Sequence, residues 1–326
     1  MIPCSRYIIY PITWYSVLIL TGALLAVCIA AAQEKRQGFP KDTMIDLALR
    51  IIPVGIVSAR IYYVVFSWEA FRDDFFSVFR IWEGGLAIYG GILGGLVTII
   101  LFCRKRHLSF YSVCDAIVPG LSIAQAIGRW GNFFNMEAYG KEVTNPSFCF
   151  FPVAVLIPGE TGAVWHLATF FYESCWDFIV FIILMRLGTT GTHKEGRMLA
   201  TYLVLYASAR LIIEELREDS LYFNSVRISQ LLSILLILIV LLSMIFRLIR
   251  TRKGKSFSFL FCLFEFVYII VSGFTVYSSV FGLSEWIPDV SHRILLFFVF
   301  SVLSVIHLVF LSRWTNVRRN YADIKV

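Results

Sequence analysis

Residues 128–137 read Gly-Arg-Trp-Gly-Asn-Phe-Phe-Asn-Met-Glu and stand at the end of a hydrophobic span. Ionisable groups so close to a bilayer are costly and are usually functional. The glycines Gly128 and Gly131 keep the backbone open, so a ligand could also approach main-chain N–H groups. The stretch therefore predicts a site for a polar, anionic group at the membrane boundary. Its polar and charged side chains are Arg129, Asn132, Asn135 and Glu137.

The composition is that of a multi-span membrane protein. The chain has 326 residues, of which 58% are hydrophobic and 16% charged, and its mean hydropathy is +0.76. Soluble domains carry about 25% charged residues. The net charge of +7 is gathered in clusters separated by segments poor in Lys and Arg, which is the positive-inside pattern and argues against nucleic-acid binding. The clusters are Lys35-Arg36 with Lys41, Arg104-Lys105-Arg106, Lys194 with Arg197, 247–255, and Arg313 with Arg318-Arg319.

Nine apolar runs are long enough to cross a bilayer as helices. With the basic clusters in the cytoplasm, the N-terminus lies outside and the C-terminus inside. The long interval Gly131–His166, which contains three prolines, is expected to form an external head or lid. The predicted spans are Trp14–Ala32, Met44–Phe66, Leu86–Cys103, Tyr111–Ile127, Ala168–Leu187, Met198–Ile213, Ile228–Phe246, Ser256–Tyr277 and Ile294–Leu311.

The seven cysteines predict neither a metal site nor a redox motif. They are scattered, mostly within apolar runs, and none forms a CxxC pair. Such spacing does not match a zinc site. We interpret them as small buried apolar residues.

Three charged residues share one face near the outer end of the sixth span: Arg210, Glu214 and Arg217. One interpretation is an ion pair that reaches the interface. The other begins from Arg129, which should lie at a similar depth on the same membrane side. Three guanidinium groups exceed what one carboxylate needs, and planar arginine forks suit phosphate recognition.

The third span opens with a glycine-rich block, Gly84–Gly91, followed by Gly94-Gly95. Small residues permit close helix packing, but glycines at the external mouth, with Tyr89 among them, also suit contact between backbone and a lipid headgroup.

The second span contains an ionisable residue, Arg60. A guanidinium facing lipid would be costly, so we expect Arg60 to face the bundle interior or a carboxylate. Asp115 and Glu173 are the candidate partners.

The pattern G-R-x-G-N-F-x-N-x-E-x-x-G, which ends at Gly140, resembles the signature of bacterial prolipoprotein diacylglyceryl transferases. Further matching segments follow the same order from Trp14 to Phe246, which makes the resemblance highly specific. They are Trp14-Tyr15, Ala59-Arg60-Ile61-Tyr62, Gly84–Gly91, Tyr172-Glu173-Ser174, Arg210–Glu214 with Arg217, and Ile228-Ser229-Gln230.

The resemblance implies an all-α membrane protein, with a seven-helix bundle that lipid enters from the side and an active site facing the outer leaflet. Residues 1–255 would form the catalytic unit, with residues 131–166 its external segment, and residues 256–326 an extension with two further spans. The activity implied is transfer of diacylglyceryl from phosphatidylglycerol to the lipobox cysteine of a prolipoprotein, in the bacterial cytoplasmic (inner) membrane. No metal, cofactor or nucleic acid is implied.

For this reaction we hypothesise a role for each of the matched polar residues. Arg129 and Arg210 would clamp the phosphate, Asn132 would complete its hydrogen bonds, and Glu214 would hold Arg210. Glu137 would orient the first arginine or accept the thiol proton, and the base stays open among Tyr89, Glu137 and Glu214. The remaining residues expected to bind phosphatidylglycerol are Tyr15, Arg60, Gly90, Gly131, Asn135, Gly140 and Arg217.

Three features depart from the family pattern. Tyr89 stands where many relatives have a histidine proposed as base, and a tyrosine with a reference pKa near 10 would need a strong downward shift. It could instead orient the headgroup as a hydrogen-bond donor. The usual proline before Tyr172-Glu173 is missing, and the two spans after Lys255 have no counterpart.

Two other classes of protein remain as alternatives. A transporter or flippase would also carry intramembrane charges, but the charged motifs cluster towards one membrane side and no paired halves are found. A catalytically inactive scaffold would retain the bundle, and the intact arginine–asparagine set argues against it.

Overall fold

The computed structural model describes residues 7–9, 12–159, 162–189, 195–218, 220, 222–223, 226–251, 267–268, 270–275 and 290–316. Helices dominate these residues. We label them α1 (Trp14–Gln37), α2 (Thr43–Phe66), α3 (Ile88–Arg106), α4 (Phe110–Asn135), α5 (Thr169–Thr189), α6 (Arg197–Leu216), α7 (Ile228–Thr251) and α8 (Val290–Asn316). Short antiparallel hairpins pair β1 (Tyr7–Ile9) with β2 (Ile12–Thr13), β3 (Ala154–Gly159) with β4 (Gly162–Leu167), and β5 (Tyr222–Phe223) with β6 (Val226–Arg227).

The chain is a mostly helical, multi-pass membrane protein. Within the described residues, five helical stretches are long and apolar enough to cross a bilayer: α1, α2, α3, α4 and the Ile228–Phe246 part of α7. The first seven predicted spans fall on α1 to α7, and the ninth falls on α8. The predicted span Ser256–Tyr277 lies largely outside the described residues, although those described at 267–268 and 270–275 are helical.

The ends of α1 show why the helix begins and ends where it does. The Thr13 hydroxyl caps the first turn by accepting from the Ser16 N–H at 3.1 Å. At the other end, Gly38 adopts the left-handed conformation with φ 72° and closes the helix. The last turn contains Lys35 and Arg36, and positive charges at this position interact favourably with the helix dipole.

Small residues let the helices approach closely. A Cβ on Gly120 of α4 would lie 2.5 Å from the Ala26 carbonyl oxygen of α1. On the neighbouring pair, a Cβ on Gly90 of α3 would lie 2.5 Å from the Ser58 carbonyl oxygen of α2. Such backbone contacts are the usual means of packing helices within lipid. The helices are therefore paired, with α1 against α4 and α2 against α3.

Residues 128–135 are helical, which corrects the expectation that the external segment begins at Gly131. Helix α4 continues to Asn135 and is closed by Met136 at φ 54°, whose N–H donates to the Asn132 and Phe133 carbonyls. The glycines therefore serve close packing in the helix rather than an open backbone. Gly131 in particular accommodates the ring of Tyr15, which would lie 2.5 Å from an added Cβ.

Beyond α4, the β3–β4 hairpin packs on the helix ends. Val155 and Ile157 of β3 are buried with Phe133 of α4 and Phe170 of α5. A hydrogen bond connects the hairpin to the loop that precedes it: the Gly140 N–H donates to the Leu167 carbonyl of β4 at 2.8 Å. The loop in turn reaches the end of α6, since the Lys141 N–H donates to the Leu216 carbonyl at 2.8 Å.

Candidate active site

One buried carboxylate, Glu173 in the second turn of α5, joins arginines from different parts of the chain. Arg129 Nη2 of α4 lies 2.5 Å from Glu173 Oε2, and Arg210 Nη1 of α6 lies 2.7 Å from Glu173 Oε1. Arg217, just after α6, places Nη1 3.6 Å from the same Oε1. The Glu173 side chain is 7% exposed, so its charge is balanced by these arginines rather than by water.

A second carboxylate fixes Arg210 from within its own helix. Arg210 Nη2 lies 2.8 Å from Glu214 Oε2, four residues later on α6. The Glu214 side chain is only 2% exposed. The predicted pairing of Arg210 with Glu214 is present, and Arg210 is held by a carboxylate on each side. We call Arg129, Arg210, Arg217, Glu173 and Glu214 the arginine cluster.

Through Arg129, the arginine cluster borders an apolar cavity of about 490 Å³, and the other four residues of the cluster lie behind Arg129 rather than in the cavity wall. Its apolar walls come mainly from α1, α2 and α4, and Arg129, Asn132, Gln125 and Tyr206 supply polar atoms. Ile19 of α1, Ile52 of α2 and Leu121 of α4 line the cavity and are 40–46% exposed. The cavity is therefore open on its side to the apolar surroundings of the helices. This shape suits a molecule with a polar head and apolar tails.

Most of the predicted phosphate-binding residues meet at this site. Arg129 and Asn132 lie three residues apart on α4, so they share a face of the helix, and both line the cavity. Tyr15, in the first turn of α1, also lines it and contacts Gly131. A guanidinium has five N–H donors, so the contact of Arg129 with Glu173 leaves other donors for a ligand.

Asn135, Glu137 and Gly140 follow the part of α4 that lines the cavity, and none of them belongs to the cavity wall. The Asn135 amide donates to Glu137 Oε1 at 3.2 Å, and both side chains are at the exit of α4. Gly140 lies at the joint between the hairpin and α6, where an added Cβ would be 2.7 Å from both the Leu167 Cβ and the Leu216 carbonyl oxygen. The geometry gives Gly140 a packing function there.

Arg60 is buried, as the first of the two alternatives required, but it pairs with neither candidate carboxylate, Asp115 or Glu173. Its guanidinium donates to the carbonyls of Ser77 at 2.7 Å, Val78 at 2.8 Å and Gly84 at 2.6 Å. The segment after α2 folds back over the helix end, and its carbonyls need donors that an arginine can supply. Asp115, one candidate partner, instead accepts the N–H groups of Gly196 and Leu199, each at 2.8 Å.

Tyr89 and Gly90 lie in the first turn of α3. Tyr89 is 40% exposed, and its hydroxyl makes no hydrogen bond within the described part of the chain. Its neighbour Ile88 lines the cavity. Gly90 packs against Ser58 and Tyr62 of α2, which agrees with the interpretation of the glycine block as a helix contact.

Sequence reasoning missed the central position of Glu173, which it considered only as a partner for Arg60. The signal was available: a carboxylate inside a predicted span requires a partner, and Tyr172-Glu173-Ser174 was one of the ordered motif matches. It also missed Gln125 and Tyr206, because polar side chains without charge are common in buried helices.

The fold and the site define an integral membrane protein in which a carboxylate-braced arginine cluster borders a laterally open apolar cavity. Residues 5–246 match the family described as prolipoprotein diacylglyceryl transferase. The chain is 39% identical over 249 residues to the phosphatidylglycerol–prolipoprotein diacylglyceryl transferase of Bacillus cereus strain G9842, covering 76% of this chain and 91% of the relative. It is 40% identical, with the same coverage, to the enzyme of that name from Bacillus anthracis strain CDC 684 / NRRL 3495.

The chain belongs to the prolipoprotein diacylglyceryl transferase family. The family resemblance inferred from the motifs is confirmed, and the protein is a transferase.

Proposed function

We propose that this protein transfers the diacylglyceryl group of phosphatidylglycerol to the thiol of the lipobox cysteine in prolipoproteins. The products are a thioether-linked lipid and glycerol phosphate, and the reaction is the first step of bacterial lipoprotein maturation. The observation that carries the proposal is the convergence of Arg129 and Arg210 on Glu173 beside a laterally open cavity. Residues 1–255 form the catalytic unit in this proposal.

The lipid would bind with its acyl chains along the apolar wall of the cavity and its phosphate at the arginine cluster. Arg129 and Arg210 clamp the phosphate, and Asn132 completes its hydrogen bonds. Tyr15, together with Gly131, shapes the wall beside them. In a water-poor site such preorganised charges act far more strongly than in water.

The chemical step is a displacement at a glycerol carbon. The sulfur of the cysteine thiolate forms a bond to that carbon, the carbon–oxygen bond to phosphate breaks, and the electron pair leaves with the phosphate oxygen. A thiol with a pKa near 8.5 is only a few per cent thiolate at neutral pH. Its proton therefore passes to a base, for which Tyr89, Glu137 and Glu214 are the candidates.

The arginine cluster would face the outer leaflet of the bacterial cytoplasmic membrane, with the N-terminus outside and the C-terminus in the cytoplasm. Lys35 and Arg36 end α1, and Arg104, Lys105 and Arg106 end α3. Arg129, Glu173 and Arg210 lie at the opposite ends of their helices. The positive-inside rule then assigns the arginine cluster to the external side.

Transfer to a peptide tests the function. Purified protein is incubated with labelled phosphatidylglycerol and a precursor peptide whose signal region ends in a lipobox cysteine. We expect a mass gain of one diacylglyceryl group on that cysteine. A transporter would move the lipid without modifying the peptide, and an inactive scaffold would do neither.

Arg129→Lys tests the clamp in the same assay. Lysine keeps the positive charge but lacks the planar guanidinium, which can donate to two phosphate oxygens at once. We therefore expect a fall in kcat of at least about tenfold, equivalent to about 1.4 kcal/mol. Arg72→Lys is the matched control, because the Arg72 side chain is 72% exposed. Near-normal turnover of Arg129→Lys would refute the bidentate clamp.

A further inference from the structure

Helix α8 lies beyond residues 5–246, the part of the chain that matches the family. It nevertheless packs directly against α6, the helix that carries Arg210 and Glu214. Phe297 and Phe300 of α8 are buried in one apolar cluster with Val204, Ala207 and Leu211 of α6. The extension is thus part of the packing behind the proposed site.

Polar contacts set which side of α8 faces the bundle. The Ser301 hydroxyl donates to the Ser208 carbonyl of α6 at 3.2 Å, and the Ser304 hydroxyl lies 3.2 Å from the Tyr268 hydroxyl. The opposite side presents Leu295 and Phe298, which are 58% and 53% exposed. Polar groups that meet inside and apolar groups that face outward give a membrane helix one defined rotation.

At the outer end of α6, α8 contributes a charge. Arg293 Nη2 lies 3.8 Å from Glu215 Oε2, and Arg227 Nη1 lies 2.8 Å from the same oxygen. The other oxygen, Oε1, accepts from the Gln230 amide at 3.0 Å. The Glu215 side chain is 3% exposed, so this carboxylate depends on protein partners. Burial and the charge of Arg227 also lower the pKa of the nearby Lys141 amine.

Glu214 and Glu215 are adjacent on α6, and their carboxylates are held from different sides. Glu214 pairs with Arg210 in the arginine cluster, whereas Glu215 pairs with groups on α8 and before α7. Successive residues of a helix differ by about 100° in direction. A rotation of the α6 end that moved Glu215 would therefore also move Glu214 and Arg210.

We propose that Arg293, supported by the packing of α8, is a positioning residue for the transfer reaction. By holding Glu215, it fixes the rotation of the α6 end and so keeps Glu214 paired with Arg210 and Arg210 directed at the bound phosphate. This inference rests on the proposed function, and it assigns a purpose to a helix that the family pattern does not include. Arg293 itself touches neither substrate nor reacting atoms.

The test measures kcat and the KM for phosphatidylglycerol of Arg293→Gln, Arg293→Lys and Phe298→Ala. We expect Arg293→Gln to lower kcat about three- to tenfold, because Arg227 still balances Glu215, and to leave KM within twofold. Arg293→Lys should recover at least half of the wild-type kcat. Phe298→Ala, on the lipid side of α8, should behave as wild type. A wild-type kcat for Arg293→Gln, or no recovery with lysine, overturns the proposal.

A second measurement tests the position of α8 without using activity. Cysteines introduced together at Ser208 and Ser301 should cross-link under oxidation, and the cross-linked protein should keep wild-type transfer. Failure to cross-link, or loss of transfer on cross-linking, contradicts the docked geometry. An absence of transfer in the wild-type protein itself would refute the proposed function instead, so the two failures are distinguishable.

Discussion

At the scale of single residues, Glu173 explains how several guanidinium groups can share one small region near a bilayer. Three like charges in a poorly hydrated site repel each other strongly. The carboxylate of Glu173 lies within 2.7 Å of Arg129 and Arg210, so it lowers that repulsion. Glu173 is thus expected to hold the clamp together in the absence of substrate.

Glu173→Gln should therefore cost both stability and activity. Removing one partner of a buried ion pair typically costs about 3–5 kcal/mol, and misplaced arginines should lower kcat at least about 100-fold. Thermal unfolding in detergent and the transfer assay measure the two effects.

Asp177→Asn is the matched control for that variant. Asp177 is one turn further along α5 and equally buried, but within the described residues its Oδ2 has no hydrogen-bond partner. An amide of the same shape should be tolerated, with kcat within about threefold and a free energy of unfolding within about 1 kcal/mol. Asp177 also interacts electrostatically with Arg129 and Arg210 but forms no ion pair with them. Equal damage from both substitutions would therefore show that the loss reflects the negative charge near the arginines rather than the direct contacts of Glu173.

Tyr89→Phe separates two roles for the hydroxyl. Because that hydroxyl has no partner in the described part of the chain, we expect it to orient the headgroup. Loss of one such hydrogen bond should raise the KM for phosphatidylglycerol about three- to tenfold and leave kcat within about twofold. A large fall in the kcat of Tyr89→Phe at every pH would instead identify Tyr89 as the base.

At the scale of elements, the α2–α3 contact distinguishes two neighbouring glycines. A Cβ on Gly90 would lie 2.5 Å from both the Ser58 carbonyl oxygen and the Tyr62 Cβ. A Cβ on Gly91 would meet nothing nearer than the Gly55 carbonyl oxygen at 3.7 Å. The two positions share a helical turn and differ mainly in available space.

Gly90→Ala should separate α3 from α2 and lower the free energy of unfolding by about 1–3 kcal/mol. Gly91→Ala should be neutral or slightly stabilising, because alanine favours the helix by about 1 kcal/mol. Chemical unfolding of the two variants in the same detergent provides the comparison. The interpretation fails if the order of the two stabilities is reversed.

The helices were predictable from sequence and their contacts were not. Long apolar runs placed α1 to α7, since each run must satisfy its backbone within a helix in lipid. The end of α4 was missed because Gly131 suggested an open backbone, whereas the glycine makes room for Tyr15. The β3–β4 hairpin was also missed. Pairing Arg129 with Glu173 requires the relative rotation of α4 and α5, which one sequence does not contain.

At the scale of the whole molecule, charge is arranged asymmetrically along the membrane normal. The end of α3 carries Arg104, Lys105 and Arg106, and Arg106 forms an ion pair with Asp46 at the start of α2. The β3–β4 hairpin and the arginine cluster are at the other ends of the helices. The asymmetry gives the molecule one orientation in a bilayer.

Labelling of single cysteines tests that orientation. In a cysteine-free background, Thr144→Cys near the hairpin should react with a membrane-impermeant maleimide in intact cells. Lys105→Cys should react only after the cells are permeabilised, and both side chains belong to exposed residues. The reverse pattern would invert the assignment of the N-terminus and of the arginine cluster.

The side opening of the cavity has a consequence for how the protein treats lipids of different length. A closed tunnel accepts only acyl chains up to its own length. Here the exposed side chains of Ile19, Ile52 and Leu121 show that the cavity wall is incomplete. Surplus methylene groups can protrude into the bilayer at no steric cost. Turnover should thus be the same for myristoyl and oleoyl forms of the lipid, and a cell that remodels its fatty acids in the cold would need no second enzyme. A sharp optimum in tail length would contradict this.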